Sequence, residues 1–249
     1  MPTSEPKAVR TAHERGITTL TLDSPKNRNA LSARLVAELG EALETARSDD
    51  SVRAVLLAHT GNTFCAGADL KAPADPGAFV ALMRAVVAHP KPVVARVTGH
   101  VRAGGLGLLG SCDIALAGPA ADFAFTESRL GLAPAVISMP LLPRMDPRAA
   151  GRYYLTGERF DAAEAARTGL VTAVADDVDE VLAAVLDGLR RASPQGLAAS
   201  KSLVTATVLE NFDRNTEDLT ARSAALFASA EAREGVQAFL ERRDPAWVW

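Results

Sequence analysis

Cysteine, histidine, aromatic residues and net charge are all scarce in this chain, long apolar runs are missing, and each shortage removes a class of protein. Only two cysteines, Cys65 and Cys112, occur among 249 residues. Both sit among small residues, so neither a secreted disulfide framework nor the paired spacing of a metal site is available. The four histidines, His13, His59, His89 and His100, are scattered without ligand spacing and are expected to be structural or surface residues. With 27 basic and 30 acidic residues the formal net charge is −3, and aromatics make up 5%. Neither property builds a surface for DNA or RNA. No stretch reaches the roughly 18 to 20 apolar residues of a membrane span, and the polar start from Met1 to Arg15 has no signal-peptide core. The expectation is a soluble, unexported protein in a reducing, cytoplasmic setting, without metal, nucleic acid or membrane among its partners.

What is present is an ordinary globular balance, 48% hydrophobic and 23% charged, enough to bury one large α/β core. Ile17 to Leu22 is β-branched and ends at Asp23-Ser24-Pro25, the signature of a strand entering a turn. The period then changes. Leu31, Leu35, Leu39, Leu43 and Ala46 recur every three or four positions and predict a helix with one buried stripe, capped near Ser32. Strands are predicted at 52–58, 92–97, 112–117 and 122–125, with a helix over 78–88. From Arg148 onward the composition is helical, punctuated by Gly157, Gly169 and Pro194, and only 169–175 suits a brief strand. Strand–helix alternation followed by a helical tail predicts an α/β core with a C-terminal helical extension, placed to cover the core's own site or to pack on a neighbour.

Gly105-Leu106-Gly107-Leu108-Leu109-Gly110 matches the spacing of a dinucleotide-binding loop, but a new strand-like run begins at Cys112 and no acidic residue ends it. That fold needs a crossover helix of about three turns and a ribose-binding carboxylate roughly 20 positions on. Two small-residue segments carry more chemistry: Thr63 to Lys71 and Gly99 to Gly110, each following a strand. Small residues let a ligand approach the main chain, and amides at a helix start have no intrahelical acceptor, so together they can hold a developing negative charge. Tight packing alone would also explain these glycines.

At these residues the chain resembles the enoyl-CoA hydratase/isomerase (crotonase) superfamily. The landmarks are Asn27-Arg28-Asn29-Ala30-Leu31-Ser32, Phe64 to Lys71, Lys91 to Ala95, Gly104-Gly105 with Cys112-Asp113-Ile114-Ala115, and Phe123 to Pro134. Leu142-Pro143-Arg144, Leu155-Thr156-Gly157, Ala162 to Leu170 and Glu234 to Phe239 continue the match to nearly the end of the chain. The resemblance implies an α/β, crotonase-like spiral of ββα units over 1–195. In the same domain, a helical region over 196–249 would serve trimerisation and cover the active site, and the assembly would be a homotrimer or hexamer. It implies an acyl-CoA thioester as substrate and no separate cofactor. Ala68 and Gly104 would supply oxyanion-hole amides. Lys26, Arg28, Ala30, Ala66, Asp69, Leu70 and Lys71 would line the coenzyme A path, with Gly105, Pro134 and Ala135 also facing substrate. Arg242 and Arg243 are further candidates for phosphate.

The resemblance also marks a departure. Hydratases of the family typically carry two glutamates; here the second matches Glu127, whereas the first position is Gly107. One carboxylate can add water or move a proton between two carbons. The surroundings of Gly104 and Glu127 resemble a branch with 3-methylglutaconyl-CoA hydratases, which ranks hydration above Δ3,Δ2-isomerisation, with a catalytically weak CoA-thioester-binding protein as a third reading. Ala135 stands where glycine is common, a tolerable change if only its N–H is used. Phe79, Met83, Met139 and Leu141 are expected to set the acyl chain. Ser138 has no nearby histidine to make it a nucleophile, Asp69 and Asp113 are expected to brace turns, and Tyr153 and Tyr154 fall on a helix with one of them buried.

Overall fold

A computed structural model describes residues 6–249; residues 1–5 of the polar start lie outside them. The chain opens with a hairpin of β1 (Val9–Glu14) and β2 (Ile17–Leu22), antiparallel from Val9 opposite Leu22 to Glu14 opposite Ile17. Sequence pattern does not predict β1, because only Val9 of its six residues is buried and no apolar alternation marks it. Helix α1 (Ala33–Ser48) follows, and the Ser32 hydroxyl accepts from Leu35 N at 3.2 Å as its N-cap. Its stripe of Leu35, Val36, Leu39, Leu43 and Ala46 is buried.

The core then winds as a spiral. In each turn one strand joins a large sheet and the next joins a small one: β3 (Ala54–His59) and β4 (Thr63–Cys65), β5 (Val93–Val97) and β6 (His100–Arg102), β7 (Ile114–Ala117) and β8 (Asp122–Ala124). Helices α2 (Pro76–Val87) and α3 (Gly104–Ser111) separate these pairs. After α4 (Ser138–Leu141) and α5 (Pro147–Thr156), β9 (Phe160–Asp161) closes the small sheet. Past α6 (Ala162–Arg167), β10 (Ala173–Val174) closes the large one. The sheets run β1-β2-β3-β5-β7-β10 and β4-β6-β8-β9. Strands β2, β3, β5 and β7 are parallel, in register from Ile17 opposite Ala54 and from Val94 opposite Ile114.

Period-two alternation sorts the large sheet's side chains. Leu20, Leu22, Val55 and Leu57 face the main core with α1, whereas Ile17, Ala54, Leu56, Val94 and Leu116 pack against Val178, Leu182 and Leu186 of α7 (Val178–Arg191). The predicted strand over 112–117 begins two residues late, because Cys112 caps α3 and Asp113 turns the chain. The glycine-rich segment is therefore only two turns of helix, almost wholly buried, in the connection that leads through the small sheet from β5 to its parallel neighbour β7.

Helices α8 (Pro194–Phe227) and α9 (Ala230–Glu241) complete the chain. Helix α8 is anchored by a buried ion pair, Lys201 Nζ to Asp113 Oδ2 at 2.7 Å, and by Asn211 Nδ2 donating to Met139 O at 2.9 Å. Helix α9 lies so close to the 127–130 turn that a β-carbon on Gly235 would stand 2.6 Å from the Leu130 backbone. One on Gly131, at φ 71°, would stand 2.6 Å from that of Glu231. Only glycines permit this approach. Among the described residues no helix is long and apolar enough to cross a membrane.

Candidate active site

The two expected amides sit on turns that the small sheet holds side by side. Strands β4 and β6 pair in parallel, Cys65 opposite Val101, so the segments leaving them emerge together. On the first, Leu31 N donates to Gly67 O at 2.8 Å and Asp69 N donates to Leu31 O at 3.4 Å, an isolated parallel bridge centred on Ala68. In such a bridge the central residue's own N–H points away from its partner strand, so the Ala68 amide is turned from Leu31. On the second, Ala103 N donates to Ala124 O at 3.1 Å. Ala103 takes φ 47°, and Gly104 opens α3 with an amide that has no intrahelical acceptor. A β-carbon placed on Gly67 would stand 3.6 Å from Gly104 N. Leu31 and Phe79 wall this point, their nearest carbons 2.8 and 3.7 Å from where a β-carbon of Gly104 would lie.

The coenzyme A candidates are brought together by the same bridge. Ala66 N donates to Arg28 O at 3.1 Å, Ala33 N to Ala72 O at 3.2 Å, and Asn27 Nδ2 to Asp69 Oδ2 at 2.9 Å, tying 26–33 to 66–72 as one ledge. Lys26, Arg28 and Lys71 project from it into solvent, and none forms an ion pair among the described residues. Leu70 is exposed, and Ala30 is buried beneath. Asp69 braces the ledge: partial burial disfavours its charge, but hydrogen bonds from Lys71 N, Asn27 and Ala72 N outweigh it and hold the carboxyl below its ordinary range. Arg243 is a poor phosphate ligand, being engaged by Glu234 at 2.6 Å and Glu241 at 2.7 Å.

Glu127 begins a 3-10 turn three residues past Ala124, the acceptor of Ala103 N. Leu132 N donates to its carbonyl at 3.0 Å, Arg129 Nε ties the turn to Thr156 O at 2.9 Å, and α9 backs it. The carboxyl is buried, and its Oε2 has no hydrogen-bond partner among the described residues. Burial pushes its pKa up to about 7, opposed only by its own backbone amide. Such a group changes protonation near neutrality, as an acid/base requires.

Gly107 is the position where the resemblance directs attention to a second carboxylate, and its surroundings are closed and apolar. A β-carbon there would lie 2.4 Å from Ile137 Cγ2 and 2.9 Å from Met83 Sδ. Gly105 is likewise pressed on Cys65 and Gly110 on Leu141; close packing thus accounts for all three glycines of the dinucleotide-like pattern.

Pro134 and Ala135 are buried before α4, and Pro134 O accepts from Ser138 Oγ at 2.6 Å. One expectation needs correction: the Ala135 N–H, read as free for substrate, donates to Ala133 O at 2.7 Å, because the chain turns tightly there. Three features were not legible beforehand. The buried Lys201–Asp113 pair is one, and the Ile137–Met83 plug is another. The third is Tyr154, whose hydroxyl is buried without a partner while its ring lies 4.6 Å from that of Phe125. A cavity of about 430 Å³ lies elsewhere, between the α3 C-terminus, Arg144 and Thr172, and includes none of Ala68, Gly104 or Glu127. Arg144 lines it while donating to the carbonyls of Gly110 and Cys112.

The segments leaving β2, β4, β6 and β8 thus carry two amides without an acceptor among the described residues, a ledge with Lys26, Arg28 and Lys71 exposed, and one buried carboxyl. The family model for enoyl-CoA hydratase/isomerase matches residues 12–248, and the chain belongs to that family. A carnitinyl-CoA dehydratase of Citrobacter koseri is 33% identical over 250 residues, covering 92% of this chain and 93% of the relative. The crystal structure of an enoyl-CoA hydratase from Mycobacterium avium superposes with a TM-score of 0.91 at 52% identity, covering 98% of this chain and all of that one. A carnitinyl-CoA hydratase from the same species gives a TM-score of 0.87 at 28% identity, over 98% and 99%.

Proposed function

We propose that the protein hydrates the C2=C3 double bond of an enoyl-CoA, with Glu127 as its single acid/base and the amides of Ala68 and Gly104 as the oxyanion hole. The observation that carries this reading is the buried Glu127 carboxyl, its Oε2 without a partner among the described residues and its pKa pushed up to about 7, on the turn that follows the strand whose Ala124 O accepts from Ala103 N. Ionised, it takes a proton from water as the water oxygen bonds to C3. The double-bond electrons move onto the thioester oxygen, and the resulting enolate is held by the two amides. Collapse of the enolate draws the proton from Glu127 to C2 and restores the carboxylate. Coenzyme A would bind along the ledge of Lys26, Arg28, Ala66, Asp69, Leu70 and Lys71, supplying remote binding energy that positions the acyl group. The relatives' hydratase and dehydratase names support a lyase.

A second reading, transfer of a proton from C4 to C2 of a 3-enoyl-CoA by Glu127, is favoured by the plug of Ile137 and Met83, which leaves an apolar wall at Gly107. Assaying crotonyl-CoA and a 3-enoyl-CoA in parallel, by loss or gain of the conjugated enoyl-thioester absorbance, decides between them. Failure of both would defeat the assignment. We also propose assembly as a trimer or dimer of trimers, supported by Leu203 and Val204 on α8, 79% and 74% exposed in the single chain. A stable monomer in sedimentation at micromolar concentration would refute it.

A further inference from the structure

We propose that the Tyr154 hydroxyl is the second polar group at the reaction centre, a positioning residue that orients the Glu127 carboxylate, directly or through one water molecule, where a second carboxylate is missing. The inference rests on the single-carboxylate reading above. Its basis is a pair of orphaned oxygens. Glu127 Oε2 and Tyr154 Oη are both buried without a hydrogen-bond partner among the described residues. Leaving either group unpaired costs about 1 to 3 kcal/mol, and a fold tolerates two together where something binds between or beside them.

The surrounding contacts put them in one place. Tyr154 lies on α5, which packs on the 127–130 turn, and its ring is tilted 53° against Phe125, two residues before Glu127. Burial raises the phenol's pKa, the neighbouring Ser138 hydroxyl lowers it, and the Glu127 charge raises it further, so the phenol lies within Coulombic reach of the carboxylate. No well-formed bond joins Tyr154 to Ser138, whose own proton goes to Pro134 O. The phenol proton thus has no acceptor among the described residues, and it would reach the Glu127 carboxylate through one water molecule or a small side-chain movement. Tyr153, its neighbour, is different: its hydroxyl donates to Glu164 at 2.7 Å, away from the site. At Gly107 the wall is apolar, so the water or carboxylate at the reacting carbons has no polar partner from that side. Tyr154 stays protonated throughout. It donates to the carboxylate, or accepts one hydrogen of the attacking water while Glu127 takes the other, and no net proton is added or lost.

The test is Tyr154→Phe in the full chain, which keeps the ring against Phe125 and removes only the oxygen. Carboxyl carbon NMR of 13C-labelled glutamate follows the titration of Glu127, assigned by the signal missing in Glu127→Gln, and needs no turnover. Loss of a donor to the carboxylate should move its pKa upward, shift the acidic limb of the kcat profile the same way and lower kcat about 10-fold, with KM nearly unchanged. Ser138→Ala, which leaves the phenol in place, should move the titration less. An unmoved Glu127 titration in a folded Tyr154→Phe protein overturns the proposal, whatever the activity; should that variant not fold, Tyr154→Leu with an unmoved titration does so too. Full activity in Glu127→Gln would instead sink the underlying mechanism, so the two failures are distinguishable.

Discussion

Replacing Glu127 by glutamine separates the cost of burying this carboxyl from its use. The group ordinarily titrates at 4.5 and is pushed up to about 7 by burial. At about 1.4 kcal/mol per tenfold change in the proton equilibrium, holding it ionised in the fold costs about 3 kcal/mol. Below pH 4.5 it is neutral in both folded and unfolded chains and costs nothing extra. Between 4.5 and 7 the unfolded chain releases its proton while the folded one keeps it, so stability falls as pH rises; above 7 the full cost is present. Glutamine has no such dependence. Urea unfolding of both proteins at intervals from pH 4.5 to 8 should show the Glu127→Gln protein gaining on the wild type by about 3 kcal/mol across the range, because every other titrating group cancels in the difference. Turnover should move the opposite way, falling about 10²- to 10⁴-fold at pH 8 with coenzyme A thioester binding retained. A stability difference flat with pH would refute the desolvated placement of the carboxyl, and wild-type turnover would refute its role.

Three further outcomes are expected. Gly107→Glu should not restore a two-carboxylate site. With Ile137 Cγ2 at 2.4 Å from the new β-carbon, overpacking should lower stability by more than the about 1 to 3 kcal/mol of an added methylene, read by thermal unfolding, and activity should fall rather than rise. Gly104→Pro should fold, since proline suits a helix's first position and the nearest obstacle is the mobile tip of Leu31 at 2.8 Å. It deletes one oxyanion donor, so kcat should drop about 10²-fold or more. Lys201→Met strands Asp113 in the core with Val93 N at 2.7 Å as its remaining hydrogen bond among the described residues and Arg144 as a nearby charge, and should cost about 3 to 5 kcal/mol in chemical denaturation.

Local signals alone determined the helices and buried strands. The α1 stripe and its Ser32 cap follow from spacing within one segment, and β2, β3 and β5 announce themselves by short β-branched or apolar runs, because burial on both faces of a parallel sheet leaves a continuous apolar signature. The resemblance to the family pointed to Ala68, Gly104 and Glu127, since each belongs to a contiguous block of matching residues. Strand β1 escaped notice because an exposed edge strand needs no apolar pattern, and β4, β6 and β9 because two or three residues carry too little. What only the tertiary structure decided is how distant segments meet: Ile137 and Met83 closing the space at Gly107, Lys201 reaching Asp113, Gly131 and Gly235 letting α9 rest on the 127–130 turn, and the Tyr154 hydroxyl left without a partner among the described residues. Such contacts depend on shape and burial across the whole chain, and no spacing within one segment encodes which side chain fills another segment's gap.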